Sequence, residues 1–193
     1  MARLRQETAL QHTALDQGLN LSQRLRGMAP YRALLERFYG IYEPLETQIL
    51  SRAEPLPPGL ELEKRRKIPL LQHDLSMLGK QHPLPMSLPC CTALPALDSP
   101  AALLGCLYVL EGSTLGGQHI ARELRKVLGL TAEDGGAFFS SYGAEVGTMW
   151  RAFGAIVDAC PLSEDQEQQM ISAARDTFTA FHQWLCVPSI EAP

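Results

Sequence analysis

Apolar residues recur every three or four positions through most of this chain, and nowhere do β-branched and polar residues alternate over the length of a strand. That period lines side chains along one face of a helix, and each such face must be buried against another helix. No Asn-Gly hairpin signal and no internal repeat interrupts the pattern. The fold class that follows is all-α, a single multi-helix domain over residues 1–193 with 186–193 as a loose tail. A chain of 193 residues is long enough to bury one sizeable core and too short to favour two.

The first helix is expected over residues 2–19, with Leu4, Thr8, His12, Leu15 and Leu19 on one stripe, which turns His12 inward. Pro30 suits a first turn and opens a second helix carrying Tyr31, Leu34, Leu35, Phe38, Ile41, Tyr42, Leu45 and Ile49. Leu56-Pro57-Pro58-Gly59 stops the chain there. A third helix, about 61–80, buries Ile68, Leu71, Leu75 and Leu78 and leaves Lys64-Arg65-Arg66-Lys67 as a solvated outer face. Between His82 and Pro95 the prolines Pro83, Pro85, Pro89 and Pro95 forbid regular helix. Ser99-Pro100 then supplies an N-cap and first-turn proline for a long helix ending near Gly129. Another spans 137–158, and the last opens at Ser163, where Gln166 completes a capping box ahead of Met170, Ala174, Phe178, Phe181 and Leu185.

A formal net charge of −4 offers no general attraction for nucleic acid. The N-terminal residues lack an apolar signal-peptide core and no apolar run is long enough for a bilayer, so the reading is a cytoplasmic protein that uses no membrane. Five cysteines (Cys90, Cys91, Cys106, Cys160, Cys186) without CxxC spacing suit reduced thiols better than disulfides or structural zinc.

Two places carry chemistry. Three glycines, Gly112, Gly116 and Gly117, interrupt a segment that is otherwise strongly helical, at about 1 kcal/mol each against alanine. Gly112 and Gly116 share one face, which admits either close packing by another helix or the approach of a ligand to bare backbone. His12 has Arg5 seven residues before it, nearly in line, and Asp16 four residues after it. A carboxylate there can accept the Nδ1 proton and leave Nε2 free for a metal, although an inward histidine can equally be a satisfied core group.

Leu4-Arg5-x-x-Thr8-x-x-x-His12-x-x-x-Asp16 resembles the first helix of heme oxygenases, and Gly112-x-x-x-Gly116-Gly117-Gln118 resembles their kinked distal helix. Leu107-Tyr108-Val109-Leu110-Glu111-Gly112 followed by Ser113-Thr114-Leu115-Gly116-Gly117 is most similar to the small bacterial branch associated with bacteriophytochromes. Ala137-Phe138-Phe139 and Phe178-x-x-Phe181 fall in the family's order, so the resemblance spans about residues 4–185.

The resemblance implies heme b as both cofactor and substrate, with His12 as axial ligand of the heme iron and Gly112, Ser113 and Gly116 at the catalytic face opposite. It implies that Gly117 extends that cover, that Arg5 and Arg151 bind propionates, and that Tyr108 and Phe181 wall the pocket. Molecular oxygen, electrons from a ferredoxin, flavodoxin or reductase, and a bacteriophytochrome receiving biliverdin complete the implied partners. Where many heme oxygenases carry an aspartate after the first distal glycine this chain has Ser113, which can hold a water but carries no charge. His119, seven residues after Gly112, competes with His12 as ligand, while His73, His82 and His182 are read as structural or solvent-exposed. Non-catalytic heme binding on the same scaffold is the alternative function. Helical di-iron proteins are disfavoured because no histidine has a glutamate three residues before it, and no thiaminase-like motif is found.

Overall fold

The computed structural model describes residues 1–52, 56–79 and 88–186, and among them every regular element is a helix. In chain order these are α1 (Ala2–Glu7), α2 (Ala9–Gly18), α3 (Leu21–Arg24), α4 (Met28–Ser51), α5 (Leu62–Arg65) and α6 (Ile68–Gly79). There follow α7 (Pro100–Leu128), α8 (Ala137–Ser140), a short 3₁₀ turn at Gly143–Glu145, α9 (Val146–Ala159) and α10 (Glu164–Cys186). His82, Pro83, Pro85 and the residues after Cys186 lie outside the described residues, whereas 88–98 run without helix, as the prolines require.

Two of the three longest helices, α7 and α10, have the clearest end signals. Ser99 accepts a hydrogen bond from the Ala102 amide at 3.2 Å, and Gly129 closes α7 with φ +71°. Ser163 and Gln166 form the expected reciprocal capping box before α10. The first half of α7, Ala101 to Glu111, is buried without a break and forms the axis of the core. Against α7 lie α10, α8 and α9, while α4 and α6 pack on each other and α10 also meets α2 and α4.

Three of the expected helices are broken. The first is two, because Thr8 leaves helical geometry (φ −109°, ψ 2°), where its hydroxyl donates to the Leu4 carbonyl at 2.7 Å beside its own amide, a back-bond that bends helices. Leu4, Thr8, Leu15 and Leu19 are buried as expected, but the His12 side chain is 60% exposed: it stands at the edge of the stripe and faces outward. The third helix divides at Arg66, which is extended (φ −62°, ψ 138°). There the Glu46 carboxylate of α4 accepts the Lys67 and Ile68 amides and so caps α6 from a distance. The helix expected over 137–158 divides after α8, at Ser141, whose φ of +46° and ψ of −117° no helix accommodates.

The basic run is not a solvated face. Lys64 is exposed and Arg66 partly so, but Arg65 and Lys67 are buried, drawn inward by Glu111 on α7. A charge run is solvated only when no buried opposite charge awaits it.

A buried carboxylate also starts α8. The two oxygens of Asp74, on α6, accept the Ala137 and Phe138 amides at 2.8 Å each, and the neighbouring Gly135 carbonyl accepts the Tyr31 hydroxyl at 2.7 Å. Burial holds the Asp74 carboxyl up at about 6, above its ordinary 3.8, although both amides pull it down. A carboxyl with a higher pKa in the folded chain binds its proton more tightly there, so its contribution to stability is full below pH about 4 and is lost as pH rises through about 6. Urea unfolding of the wild type should therefore carry a component of up to about 3 kcal/mol that falls between those values. In Asp74→Asn that component should be absent, and an unchanged slope would show that the carboxyl does not titrate there.

Candidate functional site

The second half of α7 differs from the first in that one side of it is uncovered. Nothing lies within 4 Å of where a side chain on Gly116 would begin, and the neighbouring Leu115 is 44% exposed. Gly112 is half-covered: the far edge of the Trp150 ring lies 3.6 Å from its missing side chain. Gly117 faces the other way, buried, with the Phe139 carbonyl oxygen 2.9 Å from the position of a Cβ. Of the three glycines, Gly116 is thus bare toward solvent, and Gly117 is small because α8 crosses there.

Ser113 lies between the bare face and the core. Its hydroxyl donates to the Leu110 carbonyl at 2.7 Å and stands 3.2 Å from the Tyr42 hydroxyl. Because the serine proton is committed to Leu110, Tyr42 is the donor of that second bond, and Ser113 offers only acceptor lone pairs to anything above it. Burial pushes the Tyr42 phenol well above its ordinary range, which keeps its proton in place.

Beneath this stretch is a buried charge cluster. Glu111, one residue before Gly112, pairs with Arg65 and accepts from the Tyr142 hydroxyl at 2.7 Å, and the Lys67 ammonium lies 3.7 Å away. Lys67 also donates to Tyr142 and to the Arg65 carbonyl, each at 2.7 Å, and burial lowers its pKa to about 8 despite the nearby carboxylates. Beside them is a cavity of about 20 Å³, room for about one water, lined by Tyr42, Glu46, Lys67 and Glu111. One Glu46 oxygen buried in the same region accepts no hydrogen bond and has the Arg66 guanidinium 3.6 Å away.

His12 stands on α2 with its Nδ1 3.4 Å from an Asp16 carboxylate oxygen, and the Phe178 ring of α10 braces it edge-on with centroids 5.6 Å apart. Nε2 is the nitrogen left without a partner side chain by this arrangement. Phe181, one turn further along α10, is buried with its ring edge-on to Tyr42 at 5.5 Å. α10 therefore carries, on successive turns, a contact to the histidine helix and a contact toward the glycine helix. Tyr108 is buried with its ring 5.7 Å from Trp150. Arg5 and Arg151 are both exposed, the latter donating to the Thr148 hydroxyl at 3.3 Å. His119 and His73 are exposed and His182 is partly covered. Among the described residues no three His, Cys, Asp or Glu side chains gather as a metal site, and no helix is long and apolar enough to cross a membrane.

Sequence pattern named Phe178 without its contact to His12 and gave no role to Trp150 or to the Arg65–Glu111 pair. Phe178 and Trp150 each sit on an apolar stripe three residues before another aromatic, Phe181 and Phe153, a spacing equally expected of plain core. The Arg65–Glu111 pair joins residues too far apart in sequence for any local pattern to couple them.

Residues 1–186 match the family model described as heme oxygenase. The chain is 33% identical over 155 residues to a heme oxygenase of Xanthomonas campestris pv. campestris (strain 8004), covering 79% of this chain and 86% of that one. Among solved structures it is similar to the NO- and CO-bound heme oxygenase from Neisseria meningitidis, with a TM-score of 0.77 at 22% identity over 99% of this chain and 94% of that one. The heme oxygenase of Leptospira interrogans gives 0.74 at 17% identity, with 95% and 96% covered. Heme oxygenase 2 of Chlamydomonas reinhardtii without heme gives 0.72 at 19%, with 95% and 94% covered.

The two neighbouring glycines separate a bare surface from a packed one. Gly116→Ala should stabilise the ligand-free protein by about 1 kcal/mol, because a methyl group there meets nothing and alanine is the better helix former. Gly117→Ala should destabilise it by about 1–3 kcal/mol, because the methyl group meets the Phe139 carbonyl. Thermal unfolding of both variants checks this, and equal losses would show that Gly116 is packed too.

Proposed function

The chain belongs to the heme oxygenase family, and from that premise we propose that heme lies between α2 and the bare face of α7, with His12 as the axial ligand of its iron. The reaction is the oxygen-dependent opening of heme to biliverdin, carbon monoxide and iron with external electrons. Bound heme supplies the redox-active iron and is itself the substrate consumed.

The observation that carries the site assignment is the pairing of an outward imidazole with an open glycine. His12 has Asp16 beside Nδ1 and Phe178 against its edge, which fixes the ring and leaves Nε2 as the metal-binding nitrogen. Gly116 leaves the helix backbone accessible over a ligand's opposite face, with Gly112 one turn before it. Gly117 serves this face indirectly, by letting α8 seat α7 from behind. Arg5 and Arg151 are exposed cations able to turn toward propionates, and Tyr108 and Phe181 are fixed apolar walls.

Ser113 stands where a catalytic-face residue would act on protons, and its bonding limits that act. With its own proton donated to Leu110, the hydroxyl presents acceptor capacity that can position a water. Heme b, which is held without covalent attachment, suits a chain with no Cys-x-x-Cys-His sequence. Electrons from a ferredoxin, flavodoxin or reductase, and delivery of biliverdin to a bacteriophytochrome, complete the proposal.

Hemin titration of His12→Ala tests it. Spectra of the complex should lose the signature of a protein nitrogen ligand and regain it with added imidazole. Loss even of a partner of a ligand costs about 10–100-fold, so biliverdin formation should fall by more than that. Unchanged axial ligation, or its loss in His119→Ala instead, would overturn the assignment.

A further inference from the structure

We propose that Trp150 is the side wall of the heme cleft and determines which meso carbon of the porphyrin is opened. The inference rests on the placement of heme against the bare face of α7. Trp150 lies on the inner stripe of α9, four residues after buried Val146 and three before buried Phe153, yet it remains only half-buried itself. Its ring stacks on Phe153 with centroids 5.9 Å apart and 26° between planes, and it lies 5.7 Å from the Tyr108 ring. The outer edge of the indole, Cη2 and Cζ3, comes 3.6 Å from the position of a Gly112 Cβ. Phe153 beneath it is fully buried and has the Arg65 guanidinium over its ring at 5.8 Å, so the wall stands on a fixed base.

The bare face of α7 therefore has one open end and one closed end. At Gly116 nothing approaches the backbone, whereas at Gly112, one turn earlier on the same face, the indole already does. A flat macrocycle laid along that face can extend past Gly116 but meets the edge of Trp150 at Gly112. The four meso carbons of heme differ little in intrinsic reactivity, so the one opened is the one that the in-plane rotation of the ring presents. A rigid aromatic wall at one end restricts that rotation. The next residue, Arg151, is exposed and leans back along α9, its guanidinium 3.3 Å from the position of a Gly147 Cβ. One helix thus offers an apolar stop and, beside it, a cation for a propionate.

The experiment uses the full chain reconstituted with hemin, in wild type, Trp150→Ala, Trp150→Leu and Trp184→Phe. Biliverdin isomers are separated after turnover, and heme seating is read independently from the hyperfine-shifted heme methyl resonances of the ferric cyanide complex. Removal of an apolar pocket contact changes a selectivity by about tenfold, so the ratio of major to minor isomer should fall by that amount in Trp150→Ala and by less in Trp150→Leu. The methyl resonances should shift with it. Trp184 packs on Arg37 at the far end of α10, and its variant should match wild type in both readouts. An unchanged isomer ratio with unchanged methyl shifts overturns the proposal, and Trp150→Leu decides the matter if Trp150→Ala does not fold. Loss of histidine ligation belongs to the His12 assignment and is read separately, so failure of one reading is distinguishable from failure of the other.

Discussion

At Gly105 the backbone of α7 comes so near that of α10 that any side chain there would overlap the Met170 carbonyl oxygen and crowd the Ala174 amide, 3.1 Å from a Cβ. This crossing sets the position of α10 against α7 and so the frame of the proposed site. From it α10 continues past Thr177, whose hydroxyl satisfies itself on the Ala173 carbonyl at 2.7 Å, to Phe178 and Phe181. Those two rings meet His12 on α2 and Tyr42 on α4, so the two sides of the proposed site are both referred to one helix. A larger residue at 105 would force backbone shifts that move α10, and the Phe178 brace of His12 with it.

The second constraint is electrostatic. Burying Glu111, Arg65 and Lys67 together is costly unless every group finds partners, and here each does: Arg65 reaches Leu60 and Glu111, Lys67 reaches the Arg65 carbonyl and Tyr142, and Tyr142 reaches Glu111. The cluster ties the chain around residues 60–67 and the turn after α8 to the residue immediately before Gly112. Such a cluster contributes little net stability compared with apolar packing, but it admits few alternative arrangements. The part of α7 that carries the bare face is thus tied from behind, through Glu111, to Arg65, Lys67 and Tyr142.

Those same long-range contacts mark the boundary of what local sequence could reveal. α7 and α10 were legible because their signals are adjacent: Ser99 beside Pro100, Ser163 three residues before Gln166, apolar residues at helical spacing between. The breaks at Arg66 and after α8 were not, because the carboxylates that start α6 and α8 come from Glu46 and Asp74 on other helices. The basic run looked solvated because its partner Glu111 is remote in sequence. His12 shares a stripe with Leu15 and Leu19, and periodicity places it on a face without telling whether protein or ligand covers that face. The glycine pattern was legible as an unusual feature, yet only the structure separates Gly116, with open space above it, from Gly117, against Phe139. Trp150 carried no sequence signal beyond its stripe, since packing against a glycine on another helix leaves no mark in spacing.

A crystal structure of the ferric heme complex would show whether His12 and the bare face of α7 are the two sides of one heme site. The porphyrin should lie between α2 and α7, with His12 Nε2 bonded to the iron, the Gly116 backbone against the opposite side of the site, and the indole of Trp150 at the macrocycle's edge. Iron bonded to His119, or heme seated away from Gly116, would contradict this arrangement.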